Sequence, residues 1–158
     1  MRGPLIVGVD GTDASLFGLR EAASIAAASR SLLIVVYVRL PPYQMWTALT
    51  SFGTCSMADI SDKTELVVEA ECITTLSALD INWKLEIRDG DPAAALMAVA
   101  SEYKGDTIVV SGQRHGTVGS IAHGAIATRL LHRWPNTLIV LHPPPTGGLA
   151  TPAEGRQN

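Results

Sequence analysis

Four short aliphatic runs recur along the chain: Leu5–Val9, Leu32–Val38, Thr107–Val110 and Thr137–Leu141. Their length and β-branched content, with no polar alternation, mark strands buried on both faces, the pattern of a parallel sheet covered by helices. The segment INWKLEIRD, residues 81–89, behaves differently. Ile81, Trp83, Leu85 and Ile87 alternate with Asn82, Lys84, Glu86 and Arg88. Strict alternation belongs to a half-buried strand, which puts this one at a sheet edge.

Helical spacing fills the intervals. Thr12 or Asp13 can cap a helix carrying Leu16, Leu19, Ala23, Ala26 and Ala27. Residues 62–79 carry Leu66, Ala70, Ile73 and Leu76 at helical spacing. Asp91-Pro92 reads as a cap followed by proline at the first helical position, leading into Leu96, Met97 and Ala100, with Gly105 as a stop. A last helix over 124–132 carries Ile126, Leu130 and Leu131. The order β-α-β-α-β-α-β-α-β predicts an open α/β domain over residues 1–142 with right-handed crossovers. Two segments break the rhythm. Residues 39–58 form a long connection with Tyr43, Met45, Trp46 and Phe52, suited equally to a binding loop and to filling a gap. The Pro/Gly-rich tail, 143–158, is expected to be disordered.

Composition narrows the function classes. The chain has 158 residues, enough for one domain with a sizeable core, and aromatic content is only 5%, so that core is aliphatic and alanine-rich. A net charge of −3 gives no electrostatic case for nucleic acid or an anionic membrane surface. No apolar run approaches the ~20 residues of a membrane span, and the N-terminus does not read as a signal peptide. Cys55 and Cys72 lack metal-ligand spacing and fit small thiols in a reducing compartment. A cytoplasmic protein is expected.

Topology then points to a site. With the alternating strand at an edge, the strand order 3-2-1-4-5 follows, and the order reverses between strands 1 and 4. Ligands of open parallel sheets bind at such a reversal, beyond the strand carboxyl ends. The residues there are Asp10-Gly11-Thr12 and the run Ser111-Gly112-Gln113-Arg114-His115-Gly116, continuing to Gly124 at a helix start. Glycines let backbone N–H groups approach an anion, and a helix N-terminus adds partial positive charge. A carboxylate opposite suits ribose or adenine donors, so the pair of features points to a nucleotide. A turn glycine and a capping aspartate would look the same.

Strand followed by Asp-Gly-Thr is also how phosphatases of the haloacid dehalogenase class begin. Their nucleophilic aspartate would fall where this chain has Gly8, so that route to a phospho-aspartyl intermediate is closed. There is no GxxxxGK[ST] loop and no GxGxxG fingerprint. His115 and His123 stand eight residues apart without a second carboxylate, which is not metal-ligand spacing. His132 and His142 show no partner in the sequence, Tyr103 and Trp83 read as packing, and Trp134-Pro135 reads as the helix-to-strand junction.

The assembled residues resemble the universal stress protein family over about residues 3–142. LIVGVDGTDAS is similar to that family's opening strand and turn, EIRDGDPAAAL to its third strand and helix start, and GDTIVVSGQRHGTVGSIAHGAIATRLLHRWPNTLIVL to its fourth strand, glycine loop, last helix and closing strand. The resemblance implies a five-stranded sheet in the order 3-2-1-4-5 with helices on both faces, and a homodimer through the last strand, here 136–141. One branch of the family binds ATP through Gly-x2-Gly-x9-Gly-Ser/Thr. By that resemblance Asp10 and Gly11 would meet ribose or adenine and Val38 would flank the base, while Gly112, His115, Gly116, Gly124 and Ala125 would line the phosphates, with Mg2+ entering only alongside nucleotide. This chain departs from the motif: His115 stands where the second glycine would be, the loop is one residue shorter, and Ala125 replaces the hydroxyl residue. A lost phosphate-binding hydroxyl costs ~1–3 kcal/mol, up to about a hundredfold in affinity. Ser111, Thr117, Ser120 and Thr128 are the candidates to compensate. The resemblance therefore implies a stress or signalling protein binding adenine nucleotide weakly, ATP or cyclic AMP, with at most slow ATP hydrolysis. The alternative is a nucleotide-independent member acting through dimerisation and other protein contacts.

Overall fold

In the computed structural model, residues 3–39, 57–112 and 125–144 are described. Nine elements follow in order: β1 (Leu5–Val9), α1 (Asp13–Ser29), β2 (Leu33–Arg39), α2 (Met57–Leu76), β3 (Trp83–Asp89), α3 (Pro92–Glu102), β4 (Thr107–Ser111), α4 (Ala125–Arg133) and β5 (Thr137–Leu141). All strands pair in parallel in the order β3-β2-β1-β4-β5, so the expected topology is the one observed. No helix among the described residues is long and apolar enough to cross a membrane.

Strand periodicity splits the core in two. Odd-numbered positions of β1 and β2 (Leu5, Val7, Val9, Leu33, Val35) face α1 and α2, packing with Leu19, Ala22, Ala23, Ala26, Val68, Cys72 and Leu76. Even-numbered positions (Ile6, Ile34, Val36), with Ile108 and Val110 of β4, face α3 and α4 and pack with Leu96, Val99, Ala100, Ala127 and Leu130. Strand β3 confirms its alternation as an edge: Trp83, Leu85 and Ile87 turn to the first core. Its polar face instead meets α3. Tyr103 donates its hydroxyl to Glu86 (2.5 Å), Lys84 donates to Tyr103 (2.5 Å), and Arg88 pairs with Glu86 and Glu102. Tyr103 is therefore the polar centre of a charged cluster as well as a packing residue.

Three helical expectations are corrected. Helix α2 begins earlier than expected and ends at Leu76, and its buried face is Val68, Cys72 and Leu76 rather than Leu66, Ala70 and Ile73. Leu66 is 65% exposed and Ile73 49%. Apolar residues run around much of this helix, Val67 and Val68 side by side, so spacing alone did not choose a face. In α4, Ala127 and Leu130 are buried while Leu131 is exposed. The stop after α3 is Lys104, which takes the left-handed conformation (φ 54°), with Gly105 donating to Ala100 O at 2.8 Å. Gly105 serves close packing instead, since a Cβ there would sit 2.8 Å from the Pro4 carbonyl oxygen.

Alanines and glycine let α1 lie close to the sheet. The ideal Cβ position at Gly18 falls 2.5 Å from Ser111 Oγ and 2.8 Å from its Cβ. Gly18→Ala should therefore destabilise the fold by about 1–3 kcal/mol through overpacking, exceeding the ~0.5–1 kcal/mol that alanine gains in a helix. Adding Ser111→Gly should recover part of that loss in urea unfolding; strictly additive effects would contradict the contact.

Candidate functional site

Strand β1 lies between β2 and β4, and the chain order reverses across it. A cavity of about 250 Å³ opens at the carboxyl ends of these strands. Its sheet side is Gly8, Val36, Val38, Val110 and Val140, on the face covered by α3 and α4. Pro92 and Leu96 of α3 and Ala125, Ile126 and Ala127 of α4 form the walls. Asp10, Ser15, Ser111, Gly112 and His142 complete the lining. Asp10 is the only Asp, Glu, Lys or Arg among these described lining residues. Such a surface can take a flat apolar group against its valines and offers one carboxylate to hydrogen-bond donors.

The turn after β1 holds Asp10 in place. Oδ1 of Asp10 accepts from the Thr12 amide (3.0 Å) and hydroxyl (2.7 Å), and the Asp10 amide donates to Ser15 Oγ (3.3 Å). Thr12 caps α1 by accepting from the Ser15 amide at 3.2 Å, and Ser15 Oγ donates to the Thr12 carbonyl at 2.9 Å. The carboxylate thus braces the cap through one oxygen, and Oδ2 accepts no bond from a described residue. The two readings of this aspartate, helix-start brace and exposed acceptor, coexist in one side chain. Gly11 takes φ +79°, a conformation that favours glycine.

The α3–α4 wall is tied at its rim. Asp91 Oδ1 caps α3 by accepting from the Ala94 amide (2.9 Å), while Oδ2 accepts from Arg129 of α4. Burial would raise the Asp91 pKa, but the Ala94 amide and the Arg129 guanidinium outweigh it and hold the carboxyl below its ordinary value.

Of the residues picked out from the sequence, Asp10, Val38, Gly112 and Ala125 come together at the cavity. Gly11 is not in the lining; it makes the turn, and a Cβ there would sit 3.3 Å from Val68 of α2. His115, Gly116 and Gly124 lie outside the described residues, as do Thr117, Ser120, residues 40–56 and the tail from 145. Ser111 is a poor substitute for the missing hydroxyl, because its Oγ is buried beside Gly18 of α1. Burial pushes the Cys72 thiol up to about 11, so it stays uncharged at neutral pH. No three His, Cys, Asp or Glu side chains cluster to hold a metal ion among the described residues.

Sequence reasoning missed Gly8, Leu96 and His142. His142 has a partner after all: its Nδ1 lies 3.0 Å from the Gly112 carbonyl oxygen. The signal was present in the strand pattern, since Ser111 pairs with Leu141 and the next residues of parallel strands are neighbours.

A sequence profile described as the universal stress protein family matches residues 1–142. No curated protein matches the chain. Among solved structures, a universal stress protein in complex with cAMP is similar at 22% identity and TM-score 0.61, covering 89% of this chain and 97% of that one. A universal stress protein family member from Burkholderia pseudomallei is similar at 19% identity and TM-score 0.65, covering 88% and 95%. The universal stress protein from Archaeoglobus fulgidus in complex with dAMP gives 18% identity and TM-score 0.62, covering 87% and 96%. At these identities the likeness is one of fold.

Proposed function

The chain belongs to the universal stress protein family, and from that premise we propose that it binds an adenine nucleotide in the cavity at the end of β1 and β4. The observation that carries this reading is the meeting of Asp10, Val38, Gly112 and Ala125 around one cavity at the strand-order reversal. The base lies against Val38 and the neighbouring valines, and ribose hydroxyls donate to Asp10. Phosphates lie toward Gly112, where no described atom comes within 4 Å of a Cβ position. Two of the similar structures hold cAMP and dAMP, which supports a mononucleotide as readily as ATP. Ala125 offers no hydroxyl to a phosphate, so ATP, with Mg2+ accompanying it, is held weakly and turned over slowly or not at all.

Pairing through the outer edge of β5 gives the homodimer of this reading. The role is a nucleotide-reporting one in stress response or signalling. Denaturing protein purified from cells and assaying released adenine nucleotide tests the core of it, followed by calorimetric titration with ATP, AMP and cyclic AMP. Absence of both bound and titratable nucleotide would remove the reading.

Asp10→Ala should weaken AMP or cyclic AMP binding by about tenfold to a hundredfold, the worth of a hydrogen bond to a charged group. Inorganic phosphate binding should change far less, and equal losses would contradict the ribose-side role. Asp10→Asn keeps an acceptor for Thr12 and separates ligand loss from a disturbed helix cap.

A second reading, action through protein contacts without nucleotide, is favoured by one observation: Leu66 and Ile73, seven residues apart on one face of α2, are both exposed, as is Val67 beside them. The same calorimetry separates the two.

A further inference from the structure

Gly112 is the residue at which the chain leaves β4 beside the cavity, and packing does not hold it: it has no side chain of its own, and no described atom lies within 4 Å of where its Cβ would be. Glycine backbone has the most conformational freedom to lose, and fixing one residue shifts an equilibrium by about fivefold to thirtyfold. What fixes it is the end of β5. The Gly112 amide donates to the Leu141 carbonyl at 3.1 Å, continuing the ladder that pairs Ser111 with Leu141. The Gly112 carbonyl faces Nδ1 of His142 at 3.0 Å. A carbonyl oxygen can only accept, so Nδ1 carries the proton and donates. Both backbone polar groups of Gly112 are thereby clamped, the N–H by Leu141 at the end of β5 and the carbonyl by His142 just after it.

We propose that His142 is a positioning residue for the cavity, locking the Gly112 carbonyl so that this lining residue is already in its binding orientation. Identifying the cavity's occupant as a nucleotide rests on the function proposed above; the clamp itself does not. The planar peptide makes the mechanism local: holding its oxygen holds the plane through which the chain departs β4. Without the imidazole, the hydrogen bond from the Gly112 amide to Leu141 remains as a single pivot, and the ordering must be supplied by the ligand on arrival. The outer strand thus takes part in binding through a residue that the glycine motif does not contain.

Three substitutions separate positioning from direct contact. His142→Leu keeps bulk and removes the donor. His142→Asn presents an N–H close to where Nδ1–H stands, and His142→Gln presents one near Nε2 instead. The leucine variant should bind AMP about tenfold more weakly, and in ligand-free protein its Gly112 amide should exchange with solvent about tenfold faster, the worth of one lost hydrogen bond. Asparagine should restore both. Rescue by glutamine but not asparagine would mean that the ring touches ligand through Nε2 and would overturn the positioning role. Wild-type affinity or unchanged Gly112 exchange in the leucine variant would also overturn it. Should the unmodified protein bind no AMP, cyclic AMP or ATP, the nucleotide reading fails, and the exchange measurement alone decides whether the clamp exists.

Discussion

Gly8→Val should abolish nucleotide binding while leaving a folded protein. Gly8 sits in the middle of the sheet side of the cavity, facing α3, and its ideal Cβ position is 3.3 Å from Leu96 Cδ1 and 3.4 Å from Cδ2. Leu96 is a flexible side chain and can give by a few tenths of an ångström, so Gly8→Ala should be tolerated. Valine adds two branches on a Cβ that already touches Leu96, and they must enter a space of only about 250 Å³. A β-branched residue suits a strand, so the backbone gains what the cavity loses. The overpacking cost of about 1–3 kcal/mol lies within what a domain of 5–15 kcal/mol total stability can absorb. Calorimetry should show AMP affinity reduced by more than about a hundredfold, over 2.7 kcal/mol, with circular dichroism unchanged. Retained affinity would place the ligand elsewhere.

Much of this arrangement is legible in the sequence. Parallel strands buried on both faces leave uninterrupted aliphatic runs, and an edge strand leaves alternation, so β3 identified itself and fixed the order of the sheet. That order in turn placed the reversal, and the reversal brought Asp10 and Gly112 together. The readable part of the site is the part that topology dictates. Three residues escaped for a shared reason, in that each matters through a neighbour distant in sequence. In the sequence Gly8 shows only that a nucleophilic aspartate is missing, until Leu96 is seen above it. His142 shows no partner until the β4–β5 register sets it beside Gly112. The buried face of α2 escaped differently: an apolar strip and the true core face share one helix, and periodicity cannot rank two stripes of similar hydropathy. Lys104 in place of Gly105 as the left-handed residue shows the same limit, because close approach to the Pro4 carbonyl had already claimed the glycine.

Ile6→Ala should produce the largest stability loss and the smallest change in binding. Ile6 is completely buried on β1, in the core shared with α3 and α4. Its Cδ1 and Cγ1 reach to 3.2 Å from the ideal Cβ position at Gly105, so it fills the space beneath the turn that ends α3. Removing three carbons there leaves a hole that α3 cannot close, because Gly105 is already held against the Pro4 carbonyl and its amide is bonded to Ala100. The expected cost is about 2–5 kcal/mol, from lost burial plus the unrelaxed cavity. For a chain of this size that lowers the melting temperature by roughly 4–20 °C. Ile6→Val should cost only about 0.5–1.5 kcal/mol. Ile6 is not in the lining of the ligand cavity, which begins two residues further along β1 at Gly8. Nucleotide affinity measured well below the melting temperature should therefore match that of the unmodified protein. A combined loss of stability and affinity would mean that β1 transmits core packing to the position of Asp10, and that the cavity is less independent of the α3–α4 core than the separation of Ile6 from Gly8 implies.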